Sequence, residues 1–151
     1  MKDKTLSVSA IKEGTVIDHI PANQLFDVIS ILKLDKINTQ MTFGTNMLSK
    51  KLGRKAIIKI EGKFFEVDEI NRIALVAPQA KLNIIHDYAV TEKWVVEVPE
   101  EIIGIAKCVN PKCITNNEAV VTKFTVIDKE KVALKCRYCE KVTDRQHLVV
   151  I

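Results

Sequence analysis

Four cysteines, all in the last third of the chain, constrain this sequence more than any other feature. Four residues separate Cys108 from Cys113, two separate Cys136 from Cys139, and 22 lie between the pairs. A short interval lets two thiolates of one tight turn reach the same ion. The longer interval is enough for a hairpin that brings the two turns together. Four thiolates closing a tetrahedral shell suit one structural Zn²⁺ per chain, and no ferredoxin-type spacing points to an iron–sulfur cluster. A catalytic zinc keeps an open position and usually takes a histidine or carboxylate. Here sulfur fills every place, and His147, the only histidine of this region, reads as a surface or packed residue. A stretch of about 50 residues builds a marginal core by itself, so the metal makes the fold. It also presents "CVNPKC" and "CRYCEK" as rigid turns for a partner.

Such ligands must stay reduced, which favours the cytoplasm. The opening "MKDKTLSVSA" lacks the apolar stretch of a secretory leader, and no run reaches membrane-spanning length. The 151 residues are 47% hydrophobic and 28% charged, with a net charge of +4, so the composition supports a packed core rather than disorder. The absence of cysteine before residue 100 and the connector "VVEVPEE" divide the chain into residues 1–98 and 99–151.

Within the first part, "TLSVSAIK" alternates, placing Leu6, Val8 and Ala10 on one strand face. After Pro21, Leu25, Val28, Ile29 and Leu32 follow helical spacing. "NTQMTFGTNM" and "KAIIKIEG" read as strands. Asp68 can cap a second helix with Ile70, Ile73, Ala74 and Ala77 as its apolar stripe, stopped by Pro78. "AKLNIIHDYAV" follows as one strand, in which Lys93 ends the run begun near Lys81. The order predicts a ferredoxin-like βαββαβ α+β sandwich, with both helices on one face of a sheet. "KFTVID", "KVALKC" and "QHLVVI" read as short strands of a small all-β domain that binds zinc through the four cysteines.

The stretch "GTVIDHIPA" sets Asp18 beside His19. In an extended chain adjacent side chains point to opposite faces, so a catalytic dyad here needs a local kink, and no reactive serine or cysteine stands nearby. A strand end with two solvated polar groups is one reading. Another is an anion site: His19 precedes a helix start, where N–H groups attract anions. Lys59 interrupts an apolar strand, and Lys93 adds a second cation. With an aspartate able to accept ribose hydroxyls, such a set suits a nucleotide.

"AIKEGTVIDHIPA", "GRKAIIKIEG", "LVAPQAKLNIIHDYAV" and "LKCRYCEK", in this order over nearly the whole length and with both cysteine pairs, resemble the aspartate carbamoyltransferase (aspartate transcarbamoylase) regulatory-chain family. The resemblance implies a non-catalytic subunit of pyrimidine biosynthesis. Its N-terminal domain would bind CTP and ATP in competition, and its zinc domain would dock on the catalytic chain. It also implies regulatory dimers that link catalytic trimers. By motif, Val8, Ala10 and Ile11 would meet base and sugar, and Asp18 and Lys59 the ribose region. His19 and Lys93 would meet the phosphates, and Asn83, Ile85, Tyr88 and Val90 would complete the base pocket. Ser9 stands where some relatives carry an acid, and "HD" at 86 and 87 also departs from some of them.

A nucleic-acid-binding module is the alternative, since zinc ribbons and ferredoxin-like folds both serve that task. Charge argues against it. Residues 100–151 hold nine Lys/Arg and seven Asp/Glu, and four thiolates around one Zn²⁺ add net negative charge. No basic run with interleaved aromatics appears, and aromatics are 5% of the chain. A small enzyme lacks a nucleophile. Neither nucleic acid nor membrane is an expected partner.

Overall fold

A computed structural model describes residues 10–151. Val8, Leu6 and most of the strand expected over "TLSVSAIK" therefore lie outside the described residues. Among the described residues the first strand is β1, Gly14–Pro21, with Ala10–Glu13 leading into it. Its first four residues are all buried. A strand covered on both faces shows no polar–apolar alternation, which is why period-two reading passed over "GTVI".

Helix α1 (Leu25–Ile31), strands β2 (Met41–Ser49) and β3 (Gly53–Glu61), helix α2 (Val67–Asn71), and strands β4 (Lys81–His86) and β5 (Ala89–Val95) follow. The sheet order is β2-β3-β1-β4-β5, antiparallel throughout. The first four strands in chain order thus have the ferredoxin-like arrangement, with β5 added beyond β4. One register row, Ile58–Ile17–Leu82, is fully buried. It packs in one cluster with Leu25, Val28 and Ile31 of α1 and with Ile70, Ile73, Ala74 and Leu75 of α2 and the 3-10 turn after it. Each such side chain contributes about 1.5–3 kcal/mol of burial. Both helices therefore lie on one face, as their apolar stripes require.

Three expectations are corrected in detail. "AKLNIIHDYAV" is a hairpin rather than one strand, turning at Asp87 and Tyr88 with φ of 52° and 66°. Left-handed values at both central residues define the tight turn that matches strand twist, usually announced by Asn-Gly. That signal is absent here. Helix α2 is capped by Glu66, whose carboxylate accepts from the N–H of Glu69 while the Glu69 side chain accepts from the Glu66 N–H at 3.0 Å; Asp68 sits in the first turn. "QHLVVI" forms no strand: Arg145–His147 is a 3-10 turn, and Val150 makes a single bridge to Ala106.

The remainder is a second sheet of β6 (Glu101–Ile103), β7 (Lys123–Asp128), β8 (Ala133–Cys136) and β9 (Val142–Thr143) in that order, with the short helix α3 (Ile114–Asn117). Among the described residues no helix is long and apolar enough to cross a membrane. Buried residues of the two sheets belong to one core cluster, which includes Val96, Val98 and Ile102.

Gly14 opens β1 at φ 145°, and a Cβ there would lie 2.1 Å from the Ile60 carbonyl oxygen. Gly14→Ala should cost about 2–4 kcal/mol, from backbone strain plus overpacking. The check is the denaturant midpoint, which an unstrained site would leave unmoved.

Candidate functional site

The four cysteine sulfurs converge from four separate pieces of backbone. Cys108 follows the bridge at Ala106, Cys113 caps α3, Cys136 ends β8, and Cys139 lies in the turn before β9. All four Sγ atoms lie within 4.8 Å of one another. Cys108 and Cys139 are 3.6 Å apart, and Cys113 and Cys136 are 3.7 Å apart. Zn–S distances of about 2.3 Å set the sulfurs of a regular tetrahedron about 3.8 Å apart. The donor set and its spacing therefore fit one ion.

Local hydrogen bonds hold the turns in shape. Asn116 Nδ2 donates to the carbonyls of Cys108 (3.0 Å) and Asn110 (2.7 Å), and Asn117 Nδ2 to those of Pro111 and Cys113. The Thr115 hydroxyl donates to Cys113 Sγ at 3.2 Å, and the Tyr138 N–H to Cys136 Sγ at 3.4 Å. Glu140 takes φ 65° so that its N–H reaches the Cys136 carbonyl. Burial pushes the Cys108 thiol up to about 12. It works the same way on Cys139, but hydrogen bonds from the Asn110 side chain and the Lys141 N–H, with Cys108 and Cys136, hold that thiol down to about 7. The four share protons unevenly, and a cation at their centre competes with those protons.

The second constellation lies on the sheet face away from the helices. Thr42, Lys59, Val16, Asn83 and Lys93 are register partners across all five strands. Directly opposed residues share a face, so Lys59, Asn83 and Lys93 stand in one row. Ile11, Val16 and Ile85 form a small buried cluster beside it, with Ile57 packed against them. Val90 is opposite Ile85, Tyr88 is exposed at the hairpin turn, and exposed Ala10 precedes Ile11.

Asp18 and His19 occupy a bulge. The β1–β3 register steps from Ile17↔Ile58 to Ile20↔Ala56, leaving both residues opposite Ile57, with His19 at φ 63°. This is the kink an extended chain lacks, and it corrects the expectation of opposed side chains. Asp18 Oδ2 comes 3.7 Å from His19 Nδ1, while Oδ1 accepts from the His19 N–H (2.6 Å) and the Lys55 ammonium (2.9 Å). His19 Nδ1 is buried without a hydrogen-bond partner. A 3-10 turn, Ala22–Gln24, separates His19 from α1, so the helix-start argument does not apply. Burial lowers the Lys59 ammonium from its ordinary range, and Asp18 acts in the opposite sense. Sequence reasoning missed Lys55 and Val16. Lys55, Ile57 and Lys59 alternate on β3, so a period-two projection from Lys59 would have found Lys55.

Residues 6–97 match the family described as "Aspartate carbamoyltransferase regulatory chain, allosteric domain", and residues 100–149 its "metal binding domain". Relatives named "Aspartate carbamoyltransferase regulatory chain" include one from Parabacteroides distasonis, 54% identical over 99% of this chain and 97% of its own. Another, from Bacteroides fragilis, is 55% identical over 98% and 97%. A third, from Pyrococcus abyssi, is 54% identical over 95% and 96%.

The chain belongs to the aspartate carbamoyltransferase regulatory-chain family.

It is thus the regulatory rather than the catalytic polypeptide, and membership implies a catalytic-chain partner. The metal-binding match contains all four cysteines, and the allosteric match contains the whole lysine-lined face.

Protein purified under reducing conditions should carry about one tightly held divalent ion per chain, with its four thiols unreactive until a chelator is added. Cys113→Ser should release the ion and, with it, several kcal/mol of folding free energy. Elemental analysis beside thiol titration reads both effects, and four freely reactive thiols in the untreated protein would rule the centre out.

Proposed function

We propose that the chain binds CTP and ATP competitively on the β1–β3–β4–β5 face and passes the effect to the catalytic chain through a structural zinc domain. The observation that carries this reading is the row of Lys59, Asn83 and Lys93 beside the bulged Asp18–His19 and the apolar Ile11–Val16–Ile85 cluster. The roles divide by chemistry. Ala10, Ile11, Asn83, Ile85, Tyr88 and Val90, with Val8, receive base and sugar. Asp18, already charge-paired with Lys55, accepts ribose hydroxyls alongside Lys59. Lys93 and His19, whose Nδ1 lies 3.7 Å from Asp18 Oδ2, take the phosphates.

The zinc reading rests on the sulfur-only donor set and its near-tetrahedral spacing. Domains of residues 1–98 and 99–151 would hold these two functions, in the reducing cytoplasm where pyrimidine biosynthesis needs its control. Self-association into regulatory dimers that link catalytic trimers is supported by the sheet edge at β2. There Phe26 and Phe43 meet edge to face at 6.4 Å, and both remain exposed, as does Leu48. Among the described residues β2 pairs only with β3, and an edge strand with exposed apolar side chains is a ready surface for a second copy.

Two variants test the division of labour. Lys93→Ala should weaken CTP by about 1.5–3 kcal/mol, the worth of a charge-assisted hydrogen bond, and cytidine hardly at all. Equal losses for nucleotide and nucleoside in titration calorimetry would remove Lys93 from the phosphates. Cys139→Ser should still bind CTP, because every proposed ligand residue precedes it in the allosteric match, yet fail to assemble. Size-exclusion chromatography with the catalytic chain checks this, and normal assembly would refute docking through the zinc domain.

A further inference from the structure

The turn between β4 and β5 is fastened to the chain entering β1. Tyr88 N–H donates to the Lys12 carbonyl at 3.0 Å, and Asp87 N–H to Glu13 Oε2 at 2.7 Å. The other carboxylate oxygen, Glu13 Oε1, lies 2.8 Å from Nδ1 of His86. The Glu13 carbonyl in turn accepts from Gly62 N–H at 2.8 Å, at the end of β3. One residue thus bridges the ends of β3 and β4. The His86 ring is held flat against Phe64, with centroids 5.1 Å apart and planes at 17°. Both N–H groups of a turn whose central residues take left-handed φ without glycine are satisfied by this segment, which offsets part of the turn's strain. Ile11, two residues upstream of Glu13, is thereby set against Val16 and Ile85.

We infer that Glu13 is a positioning residue of the nucleotide site: its carboxylate, held by the Asp87 N–H and the His86 ring, locks Ala10–Lys12 onto the β4–β5 turn. The inference rests on reading this face as the nucleotide site. Glu13 is the group in hydrogen-bond contact with the imidazole. The Asp87 N–H, then His86 and Lys12, hold the Glu13 carboxyl below its ordinary range. A carboxylate accepting at both oxygens is a firmer anchor than a neutral amide in its place.

The test uses the full-length chain, its Glu13→Gln and Glu13→Ala variants, and CTP. Glutamine keeps an acceptor for the turn but loses the charge, so Glu13→Gln should bind roughly two- to threefold more weakly than the parent chain, the scale of an exposed ion pair. Glu13→Ala should bind roughly three- to tenfold more weakly, and the conservative variant thus restores part of the loss. Amide exchange at Asp87 and Tyr88, measured without ligand, should quicken in Glu13→Ala. Equal affinities in all three chains, or unchanged exchange at those two amides, would overturn the lock. A parent chain that fails to bind CTP while the exchange difference persists would overturn the nucleotide reading and leave the brace standing as structure alone.

Discussion

β1 is hydrogen-bonded on both edges and covered on both faces, and the rest of the first sheet is arranged around that fact. Ile17 points into the helix-covered core, while Val16, its neighbour, points to the opposite face and anchors Ile11 and Ile85. A strand with no free side cannot shift its register without moving every partner. The bulge at Asp18–His19 is therefore held firmly, and the left-handed His19 backbone is stabilised by the ladder above and below it. Because the strand alternates between the core and the lysine-lined face, folding energy and the geometry of that face are set by the same eight residues.

The second half solves a different problem. Its four strands are two to six residues long, and of its four sulfurs only that of Cys136, at the end of β8, is carried by the sheet. The asparagines that tie Cys108, Asn110, Pro111 and Cys113 together do for the first turn what backbone strain at Glu140 does for the second. Each turn is shaped by its own hydrogen bonds, and the ion is needed mainly to hold one against the other. Fold and metal centre are in this sense one structure.

Much of this was legible in the residues, and the exceptions have physical causes. The cysteine pairs, the apolar stripes of both helices and the strands β2, β3, β7 and β8 follow from spacing and alternation. The resemblance carried the proposed effector residues, of which composition alone gave only a cation-rich strand face. Three things were hidden. β1 is buried on both faces and so lacks a period. The β4–β5 turn uses Asp87 and Tyr88 where glycine or asparagine would have advertised it. Glu66 caps α2 through reciprocity with Glu69, a pattern in which a nearby aspartate is the more obvious candidate. Lys55 and Glu13 were passed over because their partners, Asp18 and His86, are 37 and 73 residues away in sequence.

The passage from β5 to β6 has the look of a linker in sequence, with a proline between acids. In the fold, Val96 and Val98 turn inward to the common core while Glu97, between them, donates its N–H to Asn71 Oδ1. An extended segment stitched by alternate side chains to a packed interior behaves as a strut and not as a swivel. β5 carries Lys93 at one end of that segment and β6 begins the sulfur-bearing half at the other, so the two halves are packed to one another and not merely tethered.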